Sequence, residues 1–288
     1  MLVKEGFYED PTLWIGRPGG RLEGVPVGGV CSISMVTAVF PLPAPRIGLA
    51  VLCGGNNPRV MFASFDPNTR RAEPLASVST ARLVPMSNYF GAAWSESSRS
   101  AFIDYITVGC YGIGTVVDGQ VRPLDVTVPL PGGAVDLASA LPPVDGPGCT
   151  ARVLANGPSL SPDERYLAFF LHVCDPVCYG MMATAKGAVG IGEEWRLVVQ
   201  DRVTGRVDVA GVRYRRPHDV AVTDDGRLVI NVRYGDAAGL HQCRITACDT
   251  PTLLASGLFS SPNVRPDGAQ IVAVKPRATE PTYLPLAR

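Results

Sequence analysis

Two stretches hold the residues best suited to chemistry. "HVCDPVC" (172–178) and "HQCRITAC" (241–248) share a His-x-Cys arrangement with a second cysteine shortly after. On a strand, residues i and i+2 face the same way. His172 with Cys174, or His241 with Cys243, would therefore present imidazole and thiolate together, a soft donor set for copper or zinc. Cys178 adds a further sulfur, and Met181 and Met182 would suit copper. The spacing differs from the Cys-x2-Cys of a zinc knuckle, and each motif supplies three ligands at most.

The other chemistry open to these cysteines is covalent. The chain has 8 cysteines, an even number: Cys31, Cys53, Cys110, Cys149, Cys174, Cys178, Cys243 and Cys248. Even counts fit disulfides, which persist in oxidising compartments or in the cytosol of hyperthermophiles. Cys31 and Cys53 are nearly symmetric about a turn near residue 42, so antiparallel pairing would set them opposite each other. Cys149 and Cys178 have the same relation to a turn near residue 163. Cys243 and Cys248 would close a small loop, leaving Cys110 to pair with Cys174. Spacing alone does not fix connectivity, and other pairings stay open. The expectation is staples and no cofactor, with copper or zinc on His172, Cys174, Cys178, His241 and Cys243 as the alternative.

The elements that must position these groups are strands. Short apolar runs bounded by Gly, Pro, Asp and Asn recur along the chain, and helical periodicity is nearly absent. One class of turn recurs at intervals of roughly 40 to 70 residues, the scale of a propeller blade with insertions. It is seen in "FPLPAPRIGLAVLC", "AAWSESSRSAFIDYI", "SLSPDERYLAFFLHV", "AVTDDGRLVINVRY" and "NVRPDGAQIVAVKP". A second class alternates with it, as in "CRITACDTPTLLA" and "WRLVVQDRVTGRVDV". The alternation predicts an all-β fold: a single β-propeller over 1–288, with five four-stranded blades and six as the alternative count. An N-terminal hairpin (1–28) is expected to complete the last blade and so remove free sheet edges. Two long loop insertions are expected at 130–148 and 175–194. Both are apolar, and exposed they would mark a contact surface.

"LSPDERYLAFF" and "VRPDGAQIVAV" resemble the Ser-Pro-Asp-Gly repeats of TolB-like and WD-type propellers. "PHDVAVTDDGRLVINV" resembles an NHL or YVTN blade. The resemblance implies the fold; such propellers serve as hydrolases, lyases, lectins and scaffolds alike.

In a propeller the innermost strands line the channel. Those strands bring together Asn88, Asn156, His218, Asp219 and Asn263, with Arg215 and Arg216 nearby. The cluster is a candidate ligand site, but it is poor in the carboxylate pairs that glycoside hydrolysis needs. His218 and Asp219 are neighbours on a strand, so their side chains point to opposite faces and form no dyad. No nucleophile elbow, P-loop or dinucleotide fingerprint is present, and no catalytic residue is assigned.

Charge excludes a further class. Lys plus Arg and Asp plus Glu each number 26, and no basic stripe stands out, which argues against a nucleic-acid surface. No apolar run of transmembrane length occurs. The start "MLVKEGFYEDPTLWIG" does not read as a signal peptide, which favours a cytoplasmic location, whereas the cysteines favour an extracellular or cell-surface one. Lysine is scarce beside arginine, which a hot habitat would help explain. The reading is a non-enzymatic extracytoplasmic propeller, a structural or protein-interaction module. It would bind a protein partner or itself, as a homo-oligomer or filament. The alternative is an enzyme or small-ligand binder at the channel mouth around His218.

Overall fold

The computed structural model describes residues 2–5, 12–15, 23–26, 31, 33–43, 45–54, 59–79, 91–107, 110–144, 150–179, 194–215, 217–232, 238–257, 259, 263–264, 270–273 and 282–285. Antiparallel strands dominate. Strands β1 (Leu2–Glu5), β2 (Thr12–Ile15) and β3 (Glu23–Pro26) form a three-stranded sheet. A four-stranded blade follows: β4 (Ile33–Pro41), β5 (Ile47–Cys53), β6 (Arg59–Asp66) and β7 (Arg71–Ser79). The second blade holds β8 (Ala92–Ser95), β9 (Ser100–Thr107), β10 (Cys110–Val117) and β11 (Gln120–Pro123). A separate hairpin, β12 (Thr127–Leu130) and β13 (Gly133–Asp136), leads into a one-turn helix, α1 (Leu137–Ala140). The third blade is β14 (Thr150–Leu160), β15 (Tyr166–Tyr179), β16 (Glu194–Asp201) and β17 (Val207–Arg215). The fourth is β18 (Pro217–Val222), β19 (Arg227–Val232), β20 (Gly239–Arg244) and β21 (Ala247–Ser256). Strands β22 (Asn263–Val264), β23 (Gln270–Ala273) and β24 (Thr282–Pro285) close the sequence as a three-stranded sheet.

Within each four-stranded blade, sequence neighbours are spatial neighbours, so every blade is a simple meander. The first strand of each blade touches the first strand of the next: β4 against β8, β8 against β14, β14 against β18, and β18 against β22. That succession of inner strands is the propeller arrangement. Among the described residues four blades are complete. No described pairing joins the N-terminal sheet to β22–β24; within that sheet β1 pairs with β2 and β2 with β3.

The core lies between blades. β5 and β6 are buried along nearly their whole length, near-continuous apolar runs, because both sheet faces are covered. Phe40, Phe62, Trp94 and Ile103 join the first two blades, and Val126, Leu137, Val153 and Phe169 join the second to the third. Ala168, Phe170, Trp195, Val220 and Ile230 join the third to the fourth.

The described parts of both expected insertions are largely strand and helix. Residues 130–148 include the end of β12, β13 and α1; the Pro131–Gly132 turn reverses the chain, and Asp136 caps the helix by accepting from the Ala138 N–H at 3.1 Å. Of 175–194, residues 175–179 extend β15, 194 opens β16, and 180–193 lie outside the described residues.

Candidate functional site

The cysteines settle as staples. Cys31 and Cys53 are bonded, as their symmetry about the turn suggests; Ile33 pairs with Cys53 in the β4–β5 ladder, and the Cα atoms are 5.9 Å apart. Cys243 and Cys248 close the short loop at the β20–β21 turn. The proposed Cys149–Cys178 and Cys110–Cys174 pairs are overturned, because Cys174 bonds Cys178. The reason is local. Val153 pairs with Val173, yet two residues earlier Ala151 pairs with Cys178, so residues 174–177 bulge out of β15. The bulge brings the two Cα atoms to 5.2 Å, within disulfide range. Cys110 is also disulfide-bonded. Cys149 lies outside the described residues, and no described cysteine is free.

The ligand atoms of His172, Cys174 and Cys178 lie within 4.8 Å of one another. The two sulfurs are bonded to each other, so the thiolates a soft metal requires exist only after reduction. Cys243 is engaged in the same way, and His241 stands on β20 outside this group. The His172 Nδ1 sits 3.0 Å from the Glu194 carbonyl oxygen, and its ring packs 5.5 Å from that of Trp195. Met181 and Met182 lie outside the described residues.

Of the channel cluster, Asn88 is outside the described residues, and only the backbone of His218 (on β18) and Asn263 (on β22) is described. Asp219 and Asn156 are placed. Asp219 stands opposite Asn231 in the β18–β19 ladder, and the Asn231 Nδ2 lies 3.4 Å from the Asp219 Oδ2. The same Nδ2 donates to the Phe259 carbonyl at 3.0 Å. A second carboxylate, Asp104 on β9, is close enough to feel the Asp219 charge. Asp104 is 3% exposed. It accepts the Gly91 N–H at 2.8 Å and the Gly157 N–H at 2.9 Å, one on each oxygen. Burial pushes its carboxyl well above the usual range; the two amides oppose that shift and Asp219 adds to it. The Oδ1 atoms of Asn156 and Asn231 are buried without a hydrogen-bond partner.

Asp104 and Asn231 were not anticipated. Each sits in a second strand, inside "AFIDYI" and "LVINV", where a single polar residue interrupts an apolar run. That interruption is the signal available in the sequence.

A cleft of about 640 Å³ opens on blade three. The tip of the β12–β13 hairpin, Leu130 to Val135, forms one wall; Arg152, His172, Val173, Glu194, Arg196 and Arg213 form the other. Arg213 is paired with Glu194 at 2.5 Å. Arg152 and Arg196 have no ionic partner among the described residues. The cleft is therefore positively charged on its blade side and apolar on its hairpin side.

No helix among the described residues is long and apolar enough to cross a membrane. No protein-family model matches the chain, and no curated protein matches it. Solved structures do. A chain of the nidogen/laminin complex superposes with a TM-score of 0.54 at 7% identity, over 94% of this chain and 84% of that one. Hydrazine synthase from Kuenenia stuttgartiensis superposes with a TM-score of 0.52 at 13% identity, over 96% of this chain and 90% of that one. At such identities the likeness shows the fold alone, a β-propeller, found in a protein–protein complex and in an enzyme.

Proposed function

We propose that this propeller is a non-enzymatic binding module of an oxidising, extracytoplasmic compartment, and that it docks an acidic segment of a partner protein in the blade-three cleft. The carrying observation is the cleft itself. Two arginines without ionic partners among the described residues face an apolar hairpin tip across about 640 Å³. Guanidinium groups hold carboxylates in bidentate geometry, and apolar walls accept the intervening side chains. The disulfides support the compartment. The nidogen/laminin neighbour supports the class, being a propeller of similar shape in a protein complex.

The test is fluorescence anisotropy with a labelled Glu-rich peptide and a Lys-rich peptide of the same length. The Glu-rich peptide should bind saturably, and the double variant Arg152→Glu, Arg196→Glu should weaken it at least tenfold. Equal binding of both peptides, or no effect of the charge reversal, overturns the cleft as the docking site. Sedimentation velocity in the same buffers shows whether a second copy of this chain takes the place of the peptide.

A further inference from the structure

The bulge in β15 gathers three donor groups at one point. A ring nitrogen of His172 and the sulfurs of Cys174 and Cys178 all lie within 4.8 Å of one another. The backbone explains the gathering. His172 and Cys174 alternate with Val173 on β15 and so face the same way. The bulge over 174–177 then brings Cys178 back, until its Cα is 5.2 Å from that of Cys174. Tetrahedral zinc, with bonds of about 2.0–2.3 Å, sets its donors roughly 3.5–3.8 Å apart, so the group stands close to the spacing of one coordination sphere.

His172 is oriented for such a role. Its Nδ1 sits 3.0 Å from the Glu194 carbonyl oxygen, which can only accept. Nδ1 therefore carries the hydrogen, and in the neutral ring Nε2 keeps the lone pair. Metal-ligating histidines are held in the same way, by donating the other ring N–H to a carbonyl. The ring of Trp195, a buried residue of β16, supports the imidazole at 5.5 Å. The sulfurs are withheld only by their bond to each other. Cys174 stands between the exposed Val173 and Asp175, whereas Cys178 is buried, so Cys174 is the sulfur open to attack. A small-molecule or protein thiolate joins the Cys174 sulfur, the S–S bond breaks, and Cys178 leaves as a thiolate. A second thiol attacks the incoming sulfur of that mixed disulfide and releases Cys174. Two external thiols end as one disulfide, and their two electrons stay on the cysteine pair.

We propose that reduction of the Cys174–Cys178 bond opens a Zn2+ site, in which the two thiolates and the His172 imidazole are the protein ligands. Two sulfurs and one nitrogen form a donor set suited to Zn2+, and the two thiolate charges match that of the ion. The thiols give up their protons to water as the ion binds. Zn2+ has no redox chemistry of its own, so it holds the pair reduced, where Cu2+ would oxidise it again. Water takes the fourth position. The geometry also narrows the ligand set read from the sequence: Cys243 is bonded to Cys248, and His241 stands outside the group. The site is thus a metal centre gated by thiol–disulfide exchange, and it uses none of the cleft arginines on which the acidic-peptide reading rests.

The experiment uses the whole chain, oxidised and after reduction with a phosphine and anaerobic desalting. Zn2+ is titrated by calorimetry, and alkylation with and without Zn2+ is mapped by peptide. The reduced chain should bind Zn2+ saturably and the oxidised chain should not. Zn2+ should protect Cys174 and Cys178 from alkylation and leave Cys243 and Cys248 as reactive as before. His172→Ala, which leaves the disulfide able to form, should weaken binding to the reduced chain by about tenfold or more. Failure of Zn2+ to protect Cys174 and Cys178 overturns the proposal. Equal affinity of the oxidised and reduced chains overturns it, as does undiminished affinity in His172→Ala. If circular dichroism shows that full reduction unfolds the chain, Cys178→Ser exposes the Cys174 thiol with no reductant and with the other staples closed. Cd2+ should then give a thiolate-to-metal charge-transfer band that His172→Ala in the same background weakens. A band that is absent, or indifferent to His172→Ala, overturns the proposal in that case.

Discussion

At the scale of single residues, Glu164 is the most informative departure from the repeat pattern. Its turn, "SPDER", resembles the Ser-Pro-Asp-Gly repeat but has glutamate where the glycine belongs. The backbone there is left-handed, with φ of 63°, as it is at Gly226 (φ 74°) in the corresponding turn of the next blade. A non-glycine residue in that region costs of order 1 kcal/mol. The carboxylate offsets the strain by reaching the neighbouring blade. It accepts from the Ser95 hydroxyl at 2.6 Å, the Glu96 N–H at 2.7 Å and the Ser97 N–H at 3.1 Å, and from the Ser97 hydroxyl. Partial burial works against its charge, but the hydrogen bonds from Ser95, Ser97 and the Glu96 amide outweigh it and hold the carboxyl below its ordinary 4.5. A depressed carboxylate stabilises the fold above its ordinary pKa, and the contribution is lost as the pH falls through that range. Glu164→Gln should therefore cost about 1 kcal/mol at pH 7, the loss of charged hydrogen bonds to part-buried and exposed donors, weakened by solvent screening. The difference from wild type should shrink as the pH falls from 7 to below the carboxyl's ordinary 4.5. Urea unfolding at both pH values measures it; a penalty independent of pH would assign the effect to packing instead of charge.

At the scale of elements, the hairpin β12–β13 with α1 shows how an insertion becomes a wall. The hairpin base is held by Val126 and Val128, and α1 plants Leu137 in the core between blades two and three. Leu137 is fully buried. Leu137→Ala should destabilise the protein by about 2–5 kcal/mol, the usual cost of a deep leucine truncation. It should also loosen the wall of the cleft, so acidic-peptide affinity should fall with stability, where Arg152→Glu lowers affinity alone. Anisotropy and urea unfolding on both variants separate the two; a Leu137→Ala variant with unchanged stability would show that α1 is not anchored. The turn was legible as "LPGGA" between short apolar flanks, and Asp136 was legible as a cap, but both fell inside a segment expected to be loop. The strands themselves were readable because their turns recur. Asp104 was not, since its partners Gly91 and Gly157 reach it only through packing of β8, β9 and β14. The Cys174–Cys178 bond was also hidden, because strand spacing assumes a regular ladder and β15 bulges between those residues.

At the scale of the whole molecule, the staples act on the ring unequally. Cys31 and Cys53 are 22 residues apart, whereas Cys174–Cys178 and Cys243–Cys248 span 4 and 5. In the chain-entropy account a longer closed loop restricts the unfolded state more, so the first bond is worth ~3 kcal/mol and each short one ~2 kcal/mol. The short bonds instead hold local shape: one fixes the bulge beside the cleft residue His172, the other the β20–β21 turn. Alkylation of the denatured chain should label no cysteine before reduction and all 8 after it. Peptide mapping should then find the Cys174–Cys178 and Cys243–Cys248 links each within a single peptide when cleavage occurs outside their loops. Cys31→Ser with Cys53→Ser should lower the unfolding free energy by more than Cys174→Ser with Cys178→Ser. The second double variant should instead weaken acidic-peptide binding, by freeing the strand that carries His172. Full labelling without reduction would remove the oxidising compartment from the reading. It would also return His172, Cys174 and Cys178 to the state in which they can hold a soft metal.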